Sequence, residues 1–219
     1  MPMSAGVAYS KVAASYDTAP NPVVALEARI LSSLLRVDGR RVLDAGCGTG
    51  RWTEYLAGRD VPAWGVDASE AMLSEARRKP AIAGRCLQGD IRRLPFRDDA
   101  FDVAICSFVL GYAQDIGPIL MELARVAPTV IITDLHPEAV SRGWKREFPT
   151  PQGKVDIEHF PYTARELERA ADEANLSLAS WLNVPFGEPE REIYRAAGKE
   201  EIFEESTRIP AVLIAKWKR

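Results

Sequence analysis

The sequence predicts an α/β fold: a doubly wound, mostly parallel seven-stranded sheet with an antiparallel last strand and helices on both faces. Three observations carry that expectation. Short apolar runs alternate with amphipathic stretches between residues 40 and 135, the pattern of parallel strands covered on both sides by crossover helices. The first apolar run leads into a turn holding Gly46, Gly48 and Gly50. Two final apolar runs separated by a helical excursion read as an antiparallel pair at the end of the sheet.

Each element has its own warrant. Residues 22–37, PVVALEARILSSLLRV, place apolar side chains at helical spacing after a Pro-Asn-Pro break. The run RVLDAG is a strand followed by the helix GRWTEYLAGR; VPAWGVDA is a strand followed by SEAMLSEARRK, with Ser69 as the expected N-cap. GRCLQGD and FDVAICSF are the next strands, then a helix from Ile116 to Val126 and the strand TVIITDL. Beyond residue 135 the rhythm breaks. Residues 136–162 form a long connection holding Trp144, Phe148, Phe160 and Tyr162, and such connections in compact domains are usually lids or binding loops. The helix TARELERAADEANL, the strand LASWLNVPF, a helical segment over 188–204 and the strand TRIPAVLIAKWK complete the chain. The expected organisation is one domain over 1–219: N-terminal helices in 1–37, a ligand-binding core in 40–135, and cap segments at 136–162 and 187–205.

Composition narrows the function. With 47% hydrophobic and 27% charged residues the chain has the balance of a globular domain with a sizeable core. A net charge of −3 lacks the basic footprint of a nucleic-acid-binding protein. The apolar run FDVAICSFVLGY is too short to span a bilayer, and the opening residues lack the apolar core of a signal peptide. Cys47, Cys86 and Cys106 form neither a disulfide framework nor a C-x-x-C site. The expectation is a cytoplasmic protein acting on a small molecule, with neither nucleic acid nor membrane as partner; the oligomeric state is left open.

The glycine turn indicates a ligand. In a doubly wound sheet the ligand crevice lies beyond the carboxyl ends of the strands, and glycines there let a ligand approach the backbone. A dinucleotide fingerprint needs G-x-G-x-x-G, but the third position is Arg51; the pattern here is D-x-G-x-G-x-G, beginning at Asp44. A carboxylate at the head of the turn repels pyrophosphate and suits a ligand carrying an ammonium or sulfonium. That weighs against a nicotinamide-dependent oxidoreductase.

VLDAGCGTG resembles motif I of the class I S-adenosylmethionine-dependent methyltransferases, and more narrowly of the methyltransferase type 11 group. YSKVAASYD, WGVDASEAML and GDIRRLPFRDDAFDVAICSFVLGY resemble further motifs of that group, in order. The resemblance implies a Rossmann-like fold, S-adenosyl-L-methionine as cofactor and methyl transfer to a small acceptor. It implies that Asp44 neutralises the methionine end of the cofactor, that Gly46 and Gly48 pass the backbone close to it, and that Cys47 lies in the same loop as a small buried residue. Asp67 would accept the ribose hydroxyls, Ala68 and Met72 would pack the adenine, and Asp90 and the Ile91 N–H would read its edge. Cys106 and Ser107 would line the sulfonium side, and Tyr16, with Tyr9, would either cover the cofactor or pack in the core. Asp67 as a helix cap, Met72 as core and Asp90 as a turn residue are the plain structural alternatives.

Methyl transfer from a sulfonium needs alignment and exclusion of water, and a base only where the acceptor must lose a proton. The two histidines, His136 and His159, both fall beyond the fifth strand and are the candidate catalytic residues; loop capping is the alternative for His136. Strand four ends in CSFVLGY, unlike the N/D-P-P-Y/F of enzymes that methylate base or glutamine nitrogens. Asp134 stands without further acids around it in sequence, so no metal is expected. The competing expectation from another class is a catalytically silent binding protein whose lid aromatics fill the acceptor pocket.

Overall fold

The computed structural model of the protein describes residues 2–35, 37–150 and 153–219. Its elements, in chain order, are α1 (Ala5–Val12), α2 (Pro22–Leu34), β1 (Val42–Ala45), α3 (Arg51–Ala57), β2 (Ala63–Asp67), α4 (Glu70–Arg77), β3 (Cys86–Gln88), β4 (Val103–Ser107), α5 (Gly117–Val126) and β5 (Thr129–Leu135). There follow α6 (Pro137–Ser141), β6 (Glu147–Thr150), β7 (Gly153–Asp156), α7 (Ala164–Glu173), β8 (Ser177–Pro185), α8 (Glu188–Ala196), α9 (Phe203–Ser206) and β9 (Pro210–Lys218).

Seven strands form one sheet in the order β3-β2-β1-β4-β5-β9-β8. The first five are parallel, and β9 runs antiparallel to both neighbours, β5 and β8. The doubly wound sheet with its antiparallel last strand is the one expected from the sequence. Chain order reverses between β1 and β4, and a crevice opens beyond the carboxyl ends of the strands at that switch point.

Strand alternation distributes the core to both faces. On β4, Val103 and Ile105 enter the cluster under α2, α3 and α8, whereas Ala104 and Cys106 enter the cluster under α5 and α7. The helices match. On α5, Ile119, Leu120, Leu123 and Ala124 are buried on one stripe, and α7 buries Leu167, Ala170 and Ala171 beside it. Helix starts follow the local chemistry: the Asn21 side chain accepts from Val23 and Val24 N–H with Pro22 in the first turn, Ser69 accepts from Met72 N–H, and Thr163 and Glu166 form a capping box.

Three expectations are corrected. The helix begun at Pro22 ends at Leu34, and residue 36 of the expected span lies outside the described residues. The connection after β5, read from the sequence as one long lid or binding loop, holds α6 and an antiparallel hairpin, β6–β7; residues 151 and 152 lie outside the described residues. Met3 pairs with the hairpin's end through Met3 N–H to Asp156 O and Glu158 N–H to Met3 O, so partners far apart in sequence make this element. The helical span over 188–204 is broken into α8, a 3₁₀ turn over 200–202 and α9. No helix among the described residues is long and apolar enough to cross a membrane.

Helix α2 is tied to the sheet by a charged group inside the protein. Glu27 is completely buried. Its Oε1 accepts from Trp52 Nε1 at 3.1 Å, Ser107 Oγ at 2.9 Å and Thr133 Oγ1 at 2.9 Å, and its Oε2 accepts from Arg51 Nη1 at 2.9 Å. One side chain thus joins α2, α3, β4 and β5. Glu27→Ala leaves four donors unmatched, and the expected loss in urea unfolding is about 3–5 kcal/mol with little change in slope.

Candidate functional site

The turn after β1 is made by glycine. Gly46 and Gly50 have φ of 78° and 79°, in the left-handed region. A Cβ at Gly46 would run into Val109 and one at Gly50 into Ile82. Gly46 and Cys47 N–H both donate to Val66 O, at 2.7 and 3.0 Å, so the turn folds back onto β2. Its edge is fastened to the end of that strand, where Asp67 Oδ2 accepts from Gly48 N–H at 2.8 Å and Oδ1 from Ser69 N–H at 2.7 Å.

Beyond this turn lie two cavities, of about 250 Å³ and about 770 Å³. The smaller follows the ends of β1, β2 and β4, and all the candidate cofactor residues except Cys106 line it. Asp44, Gly46, Cys47, Gly48 and Ser107 come to it from β1, the turn and the tip of β4. Asp67, Ala68 and Met72 come from the end of β2 and the start of α4, and Asp90 and Ile91 from just beyond β3. Tyr16 covers it, from the segment after α1. Five residues, Tyr9, Tyr16, Arg51, Phe108 and Tyr112, face both cavities. The larger one extends under the cap, against Trp144, Arg146 and Phe148 from the connection after β5 and Ile193 and Tyr194 from α8.

Three carboxylates face the smaller cavity in different states. Asp44 is buried and accepts from Thr53 N–H at 3.1 Å and Thr53 Oγ1 at 2.9 Å. Burial raises its pKa to about 6 against the lowering effect of those bonds and of Arg51. Burial also raises the Asp67 pKa, opposed by N–H donors from Ser69, Gly48 and Ala68. Asp90 is exposed, and hydrogen bonds from Arg92, side chain and backbone, hold its pKa down. Cys47 is a small buried thiol whose pKa is pushed up by its hydrogen bond with Cys86 and by burial, so it stays protonated and is no nucleophile.

Three candidates are placed elsewhere. Cys106 is completely buried in the cluster beneath α5; strand alternation turns it away, and its neighbour Ser107, at the strand's tip, reaches the cavity. His136 caps α6, with Nδ1 accepting from Glu138 N–H at 3.1 Å and Nε2 3.0 Å from Asn183 Oδ1. His159 sits 3.4 Å from its own neighbourhood's Ile157 O. Neither histidine lines either of these two cavities.

Sequence reasoning missed the roles of four side chains around the site, Asp134, Arg146, Arg51 and Glu27. Asp134, which has no further acids around it in sequence, lies at the end of β5 paired with the buried Arg146; it also accepts from Gly111 N–H and Tyr162 OH, both at 2.9 Å. Arg51 reaches both cavities, and Glu27 holds it. Arg51 could have been singled out as a cation directly after the glycines. Asp134–Arg146 and Glu27 could not, since their partners are remote in sequence.

Residues 42–130 match the family model of a methyltransferase domain. The malonyl-[acyl-carrier protein] O-methyltransferase of Pectobacterium atrosepticum is 33% identical over 170 residues, covering 71% of this chain and 66% of its own. The demethylmenaquinone methyltransferase of Geobacillus stearothermophilus is 28% identical over 173 residues, covering 73% and 70%. A crystal structure of an S-adenosylmethionine-dependent methyltransferase from Mesorhizobium loti superposes with a TM-score of 0.71 at 19% identity, over 91% of this chain and all of that one. The chain spans about half the length of most of the curated relatives it matches. Residues 42–130 thus carry a methyltransferase domain, and the sheet order and glycine turn are those of the class I S-adenosylmethionine-dependent methyltransferase fold, whose cofactor is S-adenosylmethionine.

The crevice fits that group. Backbone without side chains passes its wall at Gly46 and Gly48, and its carboxylates match a ligand with an ammonium, a sulfonium and a ribose diol.

Two outcomes follow. Asp44 has a pKa of about 6 in the folded protein against about 3.9 unfolded. Between those values the free folded protein holds a proton that the unfolded chain does not, so this group favours the free fold as pH falls and disfavours it as pH rises through about 6. A ligand ammonium needs the ionised form, so calorimetry should find S-adenosylhomocysteine bound about tenfold more weakly at pH 5 than at pH 7.5, and Asp44→Asn should flatten that dependence. His136→Ala should lower stability by about 1 kcal/mol, as loss of a cap does, and leave affinity for S-adenosylhomocysteine unchanged.

Proposed function

We propose that the protein transfers a methyl group from S-adenosylmethionine to a small-molecule acceptor held in the larger cavity. The observation that carries this reading is the junction of the two cavities at the tips of β1 and β4, where Tyr9, Tyr16, Arg51, Phe108 and Tyr112 face both. A cofactor in the smaller cavity and an acceptor in the larger meet there. Malonyl-[acyl-carrier protein] and demethylmenaquinone, in the names of the relatives, are acceptors of different chemistry, so the reading stays at an oxygen, nitrogen or carbon nucleophile.

When bound, S-adenosylmethionine supplies a methyl group already activated as a sulfonium. The chain's part is to bind, orient and exclude water. Asp44 accepts the ammonium end, Asp67 takes the ribose hydroxyls with the lone pairs left after its bonds to Gly48 and Ser69, and Met72 packs the adenine. The cap shields the junction: Tyr9 and Tyr112 hydroxyls are 2.6 Å apart, and Tyr9, Tyr16 and Phe148 pack with ring centroids 5.3–5.9 Å from one another. Burial pushes the Tyr9 and Tyr16 pKa values up, so these phenols stay protonated and act as hydrogen-bonding walls. His136 and His159 have no part in the transfer. The cap aromatics leave the larger cavity open, which favours an acceptor site over silent binding.

The test is titration calorimetry with S-adenosylhomocysteine and with NAD as control, followed by turnover against a panel of small acceptors. Micromolar binding of the first ligand only, and methylation of a panel member, are expected. Failure to bind S-adenosylhomocysteine overturns the reading. Asp67→Ala should weaken that binding about 10- to 100-fold, the worth of hydrogen bonds to a charged group.

A further inference from the structure

Among the described residues, the side chains facing the smaller cavity include three carboxylates, Asp44, Asp67 and Asp90, and one cation, Arg51. The cofactor this family uses carries the reverse set: an ammonium, a sulfonium and one carboxylate. The carboxylate belongs to its methionine end, which the placement of Asp44 and the glycine turn sets at the tips of β1 and β4. Arg51 stands at that end, as the first residue of α3.

Its guanidinium is fixed before any ligand arrives. Nη1 donates to Glu27 Oε2 at 2.9 Å, Nη2 donates to Ser107 Oγ at 3.2 Å, and Cζ lies 5.0 Å from the centre of the Trp52 ring. Ser107 in turn donates to Glu27 Oε1. Glu27 is wholly buried, whereas the Arg51 side chain is 27% exposed, so the pair is held from inside and presents its remaining N–H groups to the cavities. An arginine has five such donors in a rigid fork, and these bonds use two. A fork pinned along one edge suits a planar carboxylate at the other.

We infer that Arg51 binds the α-carboxylate of the cofactor's methionine portion, and that Glu27 and Ser107 position it to do so. The inference rests on the cofactor reading above. It has a consequence for specificity: the site demands a carboxylate. A ligand that keeps adenosine, thioether and amine but lacks the carboxylate leaves Arg51 facing an empty place, and the buried Glu27 carboxylate does not compensate for the lost partner.

The experiment compares S-adenosylhomocysteine with its decarboxylated analogue, S-adenosyl-3-thiopropylamine, by calorimetry. The wild-type protein should bind the first about 10- to 100-fold more tightly. Arg51→Met should reduce that preference to less than about threefold by weakening only the carboxylate ligand. Arg51→Lys, which keeps a charge opposite Glu27 if the methionine variant does not fold, should keep a narrowed preference. Equal binding of both ligands by the wild type overturns the inference. So does an equal loss for both ligands in Arg51→Met, which marks Arg51 as structural. Binding of neither ligand by the wild type overturns the cofactor reading itself.

Discussion

The carboxylate of Glu27 is the constraint on which the site depends. A charge taken wholly out of water is costly unless every lone pair is met, and here four donors from three elements meet it. Those donors define the geometry. Thr133 and Ser107 lie at the tips of β5 and β4, and Arg51 and Trp52 open α3 directly after the glycine turn. Satisfying Glu27 therefore sets α2 across the strand ends, and in doing so it decides where the crevice stops and which way Arg51 points. The same bonds that stabilise the fold preorganise Arg51, the one cation that lines the cofactor-sized cavity among the described residues.

A second buried pair plays the corresponding part for the cap. Asp134 at the tip of β5 meets Arg146 from the start of the hairpin, the Gly111 N–H and the Tyr162 hydroxyl, and Arg146 donates to Phe108 O and lies over the Tyr112 ring. The N-terminal segment closes on the same elements through Tyr9, Tyr16 and Met3. Thr49 on the glycine turn donates to Asp17, which with Glu54 receives Lys79. The roof over the junction is thus built from both ends of the first two thirds of the chain, fastened at separate points to a sheet whose tips supply the ligand groups.

This arrangement explains why acids outnumber cations at the cofactor-sized cavity while the cap cavity is mostly apolar and aromatic. On the proposed function, a sulfonium ligand brings its own electrophile, so the protein's electrostatics would serve recognition and alignment at the junction would serve the reaction. Asp44 and Asp67 lie at the carboxyl ends of β1 and β2 and Asp90 just beyond β3, the edge of a doubly wound sheet at which side chains face the ligand crevice.

Much of the site was legible in the sequence because it is local. Asp44, Gly46 and Gly48 lie within one turn, Asp67 ends the next strand, and Met72 follows at helical spacing, so strand-turn-helix order alone brings them to one edge of the sheet. Cys106 shows the limit of such reading: its position in sequence is right for the cavity, but strand alternation sends its side chain into the core and gives the place to Ser107. His136 and His159 have the right chemistry in the right segment, yet their side chains are spent on a helix cap and a loop contact. The β6–β7 hairpin, the Asp134–Arg146 pair and the Glu27 network had no local signature, because each is made of groups separated by long stretches of chain. Periodicity and turn chemistry, which act between neighbours, determined the sheet and its glycine turn. Which charges are buried, what they hold and where the cap closes were decided only by tertiary packing, since the cost of burying a charge is set by partners that the linear sequence does not place beside it.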